Sequence, residues 1–163
     1  MELDEQLEQL HPASFAWALA CCGRDRDDAE EVLQNVYVKV LDGKARFEGR
    51  STLKTWLFAV IRKTAAAHRR TRWLRLNFLT KVSGFSVDEA ETVERRLVRS
   101  ERASELLRAL HRLARRQREV LELVFYHDMT IEEAGCALGI TVGSARVHYQ
   151  RGKKNLLAML ETA

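Results

Sequence analysis

The stretch MTIEEAGCALGITVGSARVHYQRGKKNL, Met129 to Leu156, decides how the chain is read. Thr130 stands where a short helix needs its N-cap, and Gly139 where that helix must stop. Thr141 caps the next helix, with Ile140 as an apolar residue in the turn. In that second helix Ala145, Tyr149, Gly152 and Leu156 recur at i, i+4, i+7 and i+11, which predicts an inward face. Gly143, Val147, Gln150 and Lys154 then point outward, flanked by Arg146, Arg151 and Lys153. This is the layout of a helix-turn-helix whose second helix carries groups able to reach phosphates and base edges in a major groove. Gly143, near the start of that helix, leaves backbone N–H groups open to a phosphate. Upstream, LLRALHRLARRQREVLELVFYHD supplies two more helices, so a four-helix C-terminal unit is expected.

Working back toward the N-terminus, the pattern stays helical. The 163 residues contain one proline and eight glycines, few breakers for a chain of this length. A first helix is expected from about Ala13 to Cys22, with Pro12 at its first turn and Gly23 at its end. Asp27, with Glu30 three residues on, suggests the N-cap of a second helix. Val32, Val36 and Val40, with Leu33, Tyr37 and Leu41, carry that helix to Leu41. After a basic loop, Ser51 or Thr52 caps a third helix, LKTWLFAVIRKTAAAHRRTRWLRL, in which Trp56 is expected in the core. Residues 78–100 lose the pattern and read as a linker. The fold class expected is all-α: two small helical domains, 1–77 and 101–163, joined by that linker.

Charge is divided unevenly. Residues 1–42 carry 3 basic and 10 acidic side chains, whereas 43–81 carry 11 basic and one acidic. Such an asymmetry suggests one face for a basic partner and another for a polyanion. Of three cysteines, Cys21 and Cys22 are neighbours and Cys136 is distant. Adjacent cysteines bridge only under strain, and no CxxC or histidine spacing marks a metal site. Reduced, structural thiols are expected, with no metal, no cofactor and no catalytic residues. No apolar run is long enough for a membrane span and the acidic start lacks a signal-peptide pattern, so a cytoplasmic protein with no membrane insertion is expected.

These segments together resemble the group IV, extracytoplasmic-function (ECF) sigma factors of the sigma-70 family. DDAEEVLQNVYVKVL resembles region 2 around Asp28, Ala29, Glu30, Glu31 and Gln34. FEGRSTLKTWLFAVIRKTAAAHRR resembles the Trp-Leu helix that follows it, and LARRQREVLELVFYHD with the opening stretch resembles region 4. The resemblance implies a sigma region 2 bundle and a region 4 helix-turn-helix that bind core RNA polymerase and direct promoter-specific initiation. It implies that Asp28, Glu31 and Gln34 meet the clamp helices of the largest subunit, and that the C-domain meets the flap tip. Phe47, Arg50, Ser51, Lys63, Arg69 and Arg70 would hold the melted −10 element. Gly143, Arg146, Val147, Gln150, Arg151 and Lys154 would read the double-stranded −35 element. An anti-sigma factor is a further implied partner.

The chain departs from the family pattern at Lys63, often Asn, and at Ala67, where a polar residue is usual, so the base preference at −10 does not carry over. Ala134-Gly135 replaces an Ile-Ala pair, and Val147-His148 a Ser-Arg pair. Two other classes stay open at this point. A stand-alone helix-turn-helix regulator would need neither the N-terminal segments nor their charge split. A nuclease or thiol enzyme would need a constellation that the sequence does not supply.

Overall fold

The computed structural model describes residues 2–83 and 101–162; the linker expected over 78–100 lies, from residue 84 on, outside the described residues. Seven α-helices are described: α1 (Leu3–Cys21), α2 (Arg26–Leu41), α3 (Leu53–Ser83), α4 (Glu101–Arg112), α5 (Arg115–Leu121), α6 (Ile131–Leu138) and α7 (Val142–Glu161). No strand occurs among the described residues, and none of their helices is long and apolar enough to cross a membrane. Two compact units result. One takes the residues up to 50 together with those from 60 onward in α3, the other residues 51–59 together with α4 to α7.

The first unit is built on helical stripes. In α1, Leu7, Ser14, Trp17, Ala18 and Cys21 are buried, following the 3.6-residue repeat. This stripe runs back past Pro12, and α1 therefore begins ten residues earlier than its expected start at Ala13. Proline in a helix interior removes one backbone bond and usually costs about 3 kcal/mol. Here Pro12 and Glu8, whose carbonyl loses its partner, are both exposed, so the freed carbonyl is open to solvent. Gly23 and Arg24 then turn the chain with φ of +61° and +67°. That turn places Asp25, not Asp27, at the cap of α2, where its Oδ1 accepts the Asp28 N–H at 3.0 Å. Glu30 instead accepts from Arg26 Nε at 3.1 Å.

In α2, Ala29, Val32, Leu33, Val36 and Val40 are buried. Thr52 caps α3, its Oγ1 accepting the Thr55 N–H at 3.2 Å. Ile61 and Ala65 of α3 are fully buried, whereas Trp56 is only half-buried; the aromatic at the centre is Trp17. The helix continues through 78–83, beyond the point where the sequence pattern weakens. All three cysteines are free, Cys21 and Cys22 buried and Cys136 exposed. Burial, with Asp28 and Asp25 adding to it, pushes the Cys22 thiol up to about 12, so it stays protonated at neutral pH and is a poor nucleophile or metal ligand.

The second unit packs α4 to α7 around Ala109, Val120, Leu121, Leu123, Met129, Leu138 and Ala145. Glu119, 6% exposed, is balanced by Arg115 at 3.2 Å and Arg116 at 3.1 Å. After α5 the chain widens into a π-helical turn, Glu122–Tyr126, which keeps Leu123 inside and leaves Phe125 and Tyr126 outside. His127, also buried, takes the edge of the Phe58 ring, and its carbonyl accepts from Lys54. The expected caps are present: Thr130 accepts the Glu133 N–H and Thr141 the Ser144 N–H, each at 3.1 Å. Gly139 closes α6 at φ +66°, a conformation that side chains disfavour. Thr141→Ala is expected to cost about 1 kcal/mol, as helix caps usually do. Urea unfolding of the full chain, followed by circular dichroism, measures it.

Candidate protein-docking and nucleic-acid surfaces

The outer side of α2 follows from its buried side. With Val32, Val36 and Val40 inward, residues at i, i+4, i+7, i+11 and i+14 from Asp27 fall outward. Asp27, Glu31, Gln34, Val38 and Leu41 are indeed exposed, Val38 at 54% and Leu41 at 67%. This row is acidic at its start and apolar at its end, which suits a partner with a basic and an apolar patch. Val38 and Leu41 lay hidden in the sequence, because valine and leucine within a helical stripe read as core.

Asp28, expected on this docking face, is turned toward α3. Its side chain is 18% exposed, its Oδ1 lies 3.1 Å from His68 Nε2, and its Oδ2 accepts from Arg72. Arg72 also reaches Asp25 at 3.9 Å, and His68 Nδ1 lies 4.0 Å from Glu31. Asp28 thus ties α2 to α3, while Glu31 and Gln34 stay open to a partner. Among the described residues Asp28, Glu31 and His68 are also the one group whose ligand atoms come close enough to hold a metal ion. The Arg72 guanidinium already neutralises Asp28, and Lys39, Lys44 and Arg75 line the same cavity, so a cation there would meet a repulsive field.

The six side chains expected at the −10 element come from α3 and from the loop before it. Lys63 and Arg70 are exposed on α3 and Arg69 is half-buried. Phe47, 38% exposed, and Arg50, paired with Glu48 at 3.1 Å, stand in the loop before that helix. Ser51 belongs to the second unit, where its hydroxyl donates to the Thr52 carbonyl.

The six expected at the −35 element are brought together on α7. Gly143, Arg146, Val147, Gln150, Arg151 and Lys154 are all exposed, opposite the buried Ala145 and Gly152. A Cβ at Gly143 would meet nothing within 4 Å, so the backbone there is approachable. Arg146 is steadied by Glu132 of α6 at 3.3 Å. Phe125 stacks on Tyr149 with centroids 5.9 Å apart, and Lys153 lies over the Tyr149 ring. That aromatic pair went unnoticed in the sequence, since only the wide π turn swings Phe125 out.

Comparison with known proteins gives the family. Residues 7–75 match the model of sigma-70 region 2, and residues 103–156 that of sigma-70 region 4. The chain is 30% identical over 145 residues to the ECF RNA polymerase sigma factor SigX of Bacillus subtilis, covering 85% of this chain and 73% of that one. It is 24% identical over 164 residues to the RNA polymerase sigma factor NccH of Alcaligenes xylosoxydans, covering 97% and 87%. Among solved structures, the sigma factor RpoE in complex with the anti-sigma factor NepR from Bartonella quintana matches with a TM-score of 0.76 at 23% identity, covering 97% of this chain and 96% of that one. At that identity the likeness shows the fold.

Proposed function

The chain belongs to the sigma-70 family as an ECF sigma factor, an initiation factor that binds core RNA polymerase and promoter DNA, and we propose which of its surfaces does each. The outer row of α2, with Glu31 and Gln34 at its centre and Val38 and Leu41 beyond them, docks on the clamp helices of the largest subunit. Asp28 acts at one remove, holding the first turn of α2 against α3. The exposed row of α7 enters the −35 major groove, where Arg146, Gln150 and Arg151 reach base edges and Lys154 reaches phosphate. Lys63, Arg69 and Arg70, with the Phe47–Ser51 loop, hold the unpaired −10 strand through phosphate contacts and stacking.

The protein works in the cytoplasm and carries out no covalent chemistry. Its C-terminal unit also meets the flap tip; residues 1–77 carry the polymerase and −10 roles and residues 101–163 the −35 role, although residues 51–59 pack with the second unit. Solved relatives named for complexes with NepR and with CnrY support an anti-sigma partner here that occupies the docking row.

The observation that carries this reading is the pairing of two matched sigma segments with an exposed α7 row opposite a buried Ala145 and Gly152. Size-exclusion chromatography with sigma-free bacterial core polymerase tests it. One-to-one co-elution is expected. Glu31→Lys should weaken it at least tenfold, since a reversed charge then faces a basic surface. A chain that ignores competent core yet retains duplex DNA would instead be a stand-alone regulator.

A further inference from the structure

We infer that the last turns of α3, residues 70–81, form a lipid-contact surface that lies on an anionic bilayer without crossing it. Large apolar side chains crowd this segment: Trp73 is 63% exposed, Leu74 55%, Phe78 66% and Leu79 53%. A single exposed leucine is ordinary, whereas four such groups within seven residues mark a place of contact. Leu74, Phe78 and Leu79 line one shallow depression with Thr71 and Arg75, so they share a side of the helix. Positions 70, 73, 74, 78 and 81 follow the spacing of one helical face. Arg70 therefore stands a turn before the apolar middle and Lys81 a turn after it, and both are exposed.

Charge on this segment is of one sign. Residues 69–83 hold five basic side chains and no acidic one. Arg72 is taken by Asp28, and among the described residues no ion pair takes Arg70, Arg75 or Lys81. A second copy of the chain laid along this face in either direction would set cation against cation, with no carboxylate to offset them. Duplex DNA would satisfy the cations but leave Leu74 and Phe78 against phosphate and water.

An anionic bilayer meets both needs. Lipid phosphates take Arg70, Arg75 and Lys81, whose long stems keep the charges at headgroup level, and the acyl boundary takes Leu74 and Phe78. Trp73 suits that boundary, because indole is an apolar ring with one N–H donor. α3 is not apolar enough to span the bilayer, so it lies in the plane of the surface. Phe78, Leu79 and Lys81 fall beyond residue 75, where the match to sigma-70 region 2 ends, and lipid contact is independent of the sigma-factor reading.

The test sediments the full chain with vesicles of phosphatidylcholine alone, and with vesicles in which phosphatidylglycerol makes up about a third of the lipid. Binding to the mixed vesicles and not to the neutral ones is expected, with tryptophan emission shifting to the blue as Trp73 leaves water. Trp73→Phe should still bind but lose that shift, since Trp17 is already buried. Arg70→Gln/Lys81→Gln should bind about thirtyfold more weakly, as two basic side chains lost from an anionic surface predict. Leu74→Asp/Phe78→Asp should not sediment with either vesicle; both side chains are exposed, so its circular dichroism should match wild type. Arg102→Gln/Arg112→Gln, which removes the same charge from exposed positions on α4, should change binding less than twofold. No excess binding to the phosphatidylglycerol vesicles, or α3 variants that match the α4 control, overturns the proposal. So does a fluorescein-labelled unpaired DNA strand that loses affinity in Leu74→Asp/Phe78→Asp while vesicle binding is unchanged, which would make this face a stacking surface.

Discussion

Trp17→Ala is expected to destabilise the first unit by about 3–5 kcal/mol, the usual cost of removing a large aromatic from a packed core. Trp17 is fully buried, on the α1 face that packs against α2. Domains of this size are held by only about 5–15 kcal/mol, so much of that margin goes in one substitution. The loss should be selective. Without Trp17 the helix that backs the α2 row has no anchor, and polymerase co-elution should disappear at 37 °C. Duplex binding through α7 depends on other helices and should persist. Urea unfolding by circular dichroism would show an early transition for about half the helical signal, with the second unchanged. Trp17→Phe, which keeps most of the volume, should retain polymerase binding. A single unshifted transition in the alanine variant would mean that Trp17 does not hold this unit together.

Gly152→Val should be nearly as damaging in the second unit. A Cβ at this position would sit 3.2 Å from Gln117 Cβ and 3.2 Å from Leu121 Cδ1. Valine adds two more carbons at the point where α7 crosses α5. Overpacking of this kind costs about 1–3 kcal/mol, and the Asn155–Gln117 hydrogen bond at 3.1 Å would be pulled apart with it. The inner face of α7 would lift, taking the outward row out of register with a groove. Electrophoretic mobility shift on promoter duplex should show binding lost, while polymerase co-elution through α2 continues. Gly152→Ala separates crowding from helix preference. It adds one carbon, gains about 1 kcal/mol in helix propensity, and should come out close to neutral.

The second unit was the more legible of the two in sequence, because caps and glycines mark its turns. Thr130, Gly139 and Thr141 each have one local role, and the 3.6-residue repeat in α7 separates Ala145 and Gly152 from Val147 and Gln150 without ambiguity. The first unit was harder for three physical reasons. Pro12 signals a helix start in isolation, yet the apolar stripe through Leu7 and Trp17 outweighs one lost backbone bond. Asp25, Asp27 and Asp28 can each cap a helix, and only the left-handed turn at Gly23 and Arg24 selects Asp25. Asp28 belongs to a family motif, but a motif does not say which way a carboxylate points; His68 and Arg72, forty or more residues on, decide it. The cavity between α2 and α3 left no signal in the sequence, since it exists only where two helices meet.

The tie from Asp28 to His68 and Arg72 has a thermodynamic corollary. In the proposed reading, helix α3 serves a nucleic acid and helix α2 serves a protein. If a ligand on α3 shifts the equilibrium position of that clasp, the affinity of α2 for its partner changes by some factor. Linkage then requires the partner on α2 to change the affinity of α3 by the same factor. Breaking the clasp at Arg72 would leave each affinity measurable but set that factor toward one, making the two binding events independent.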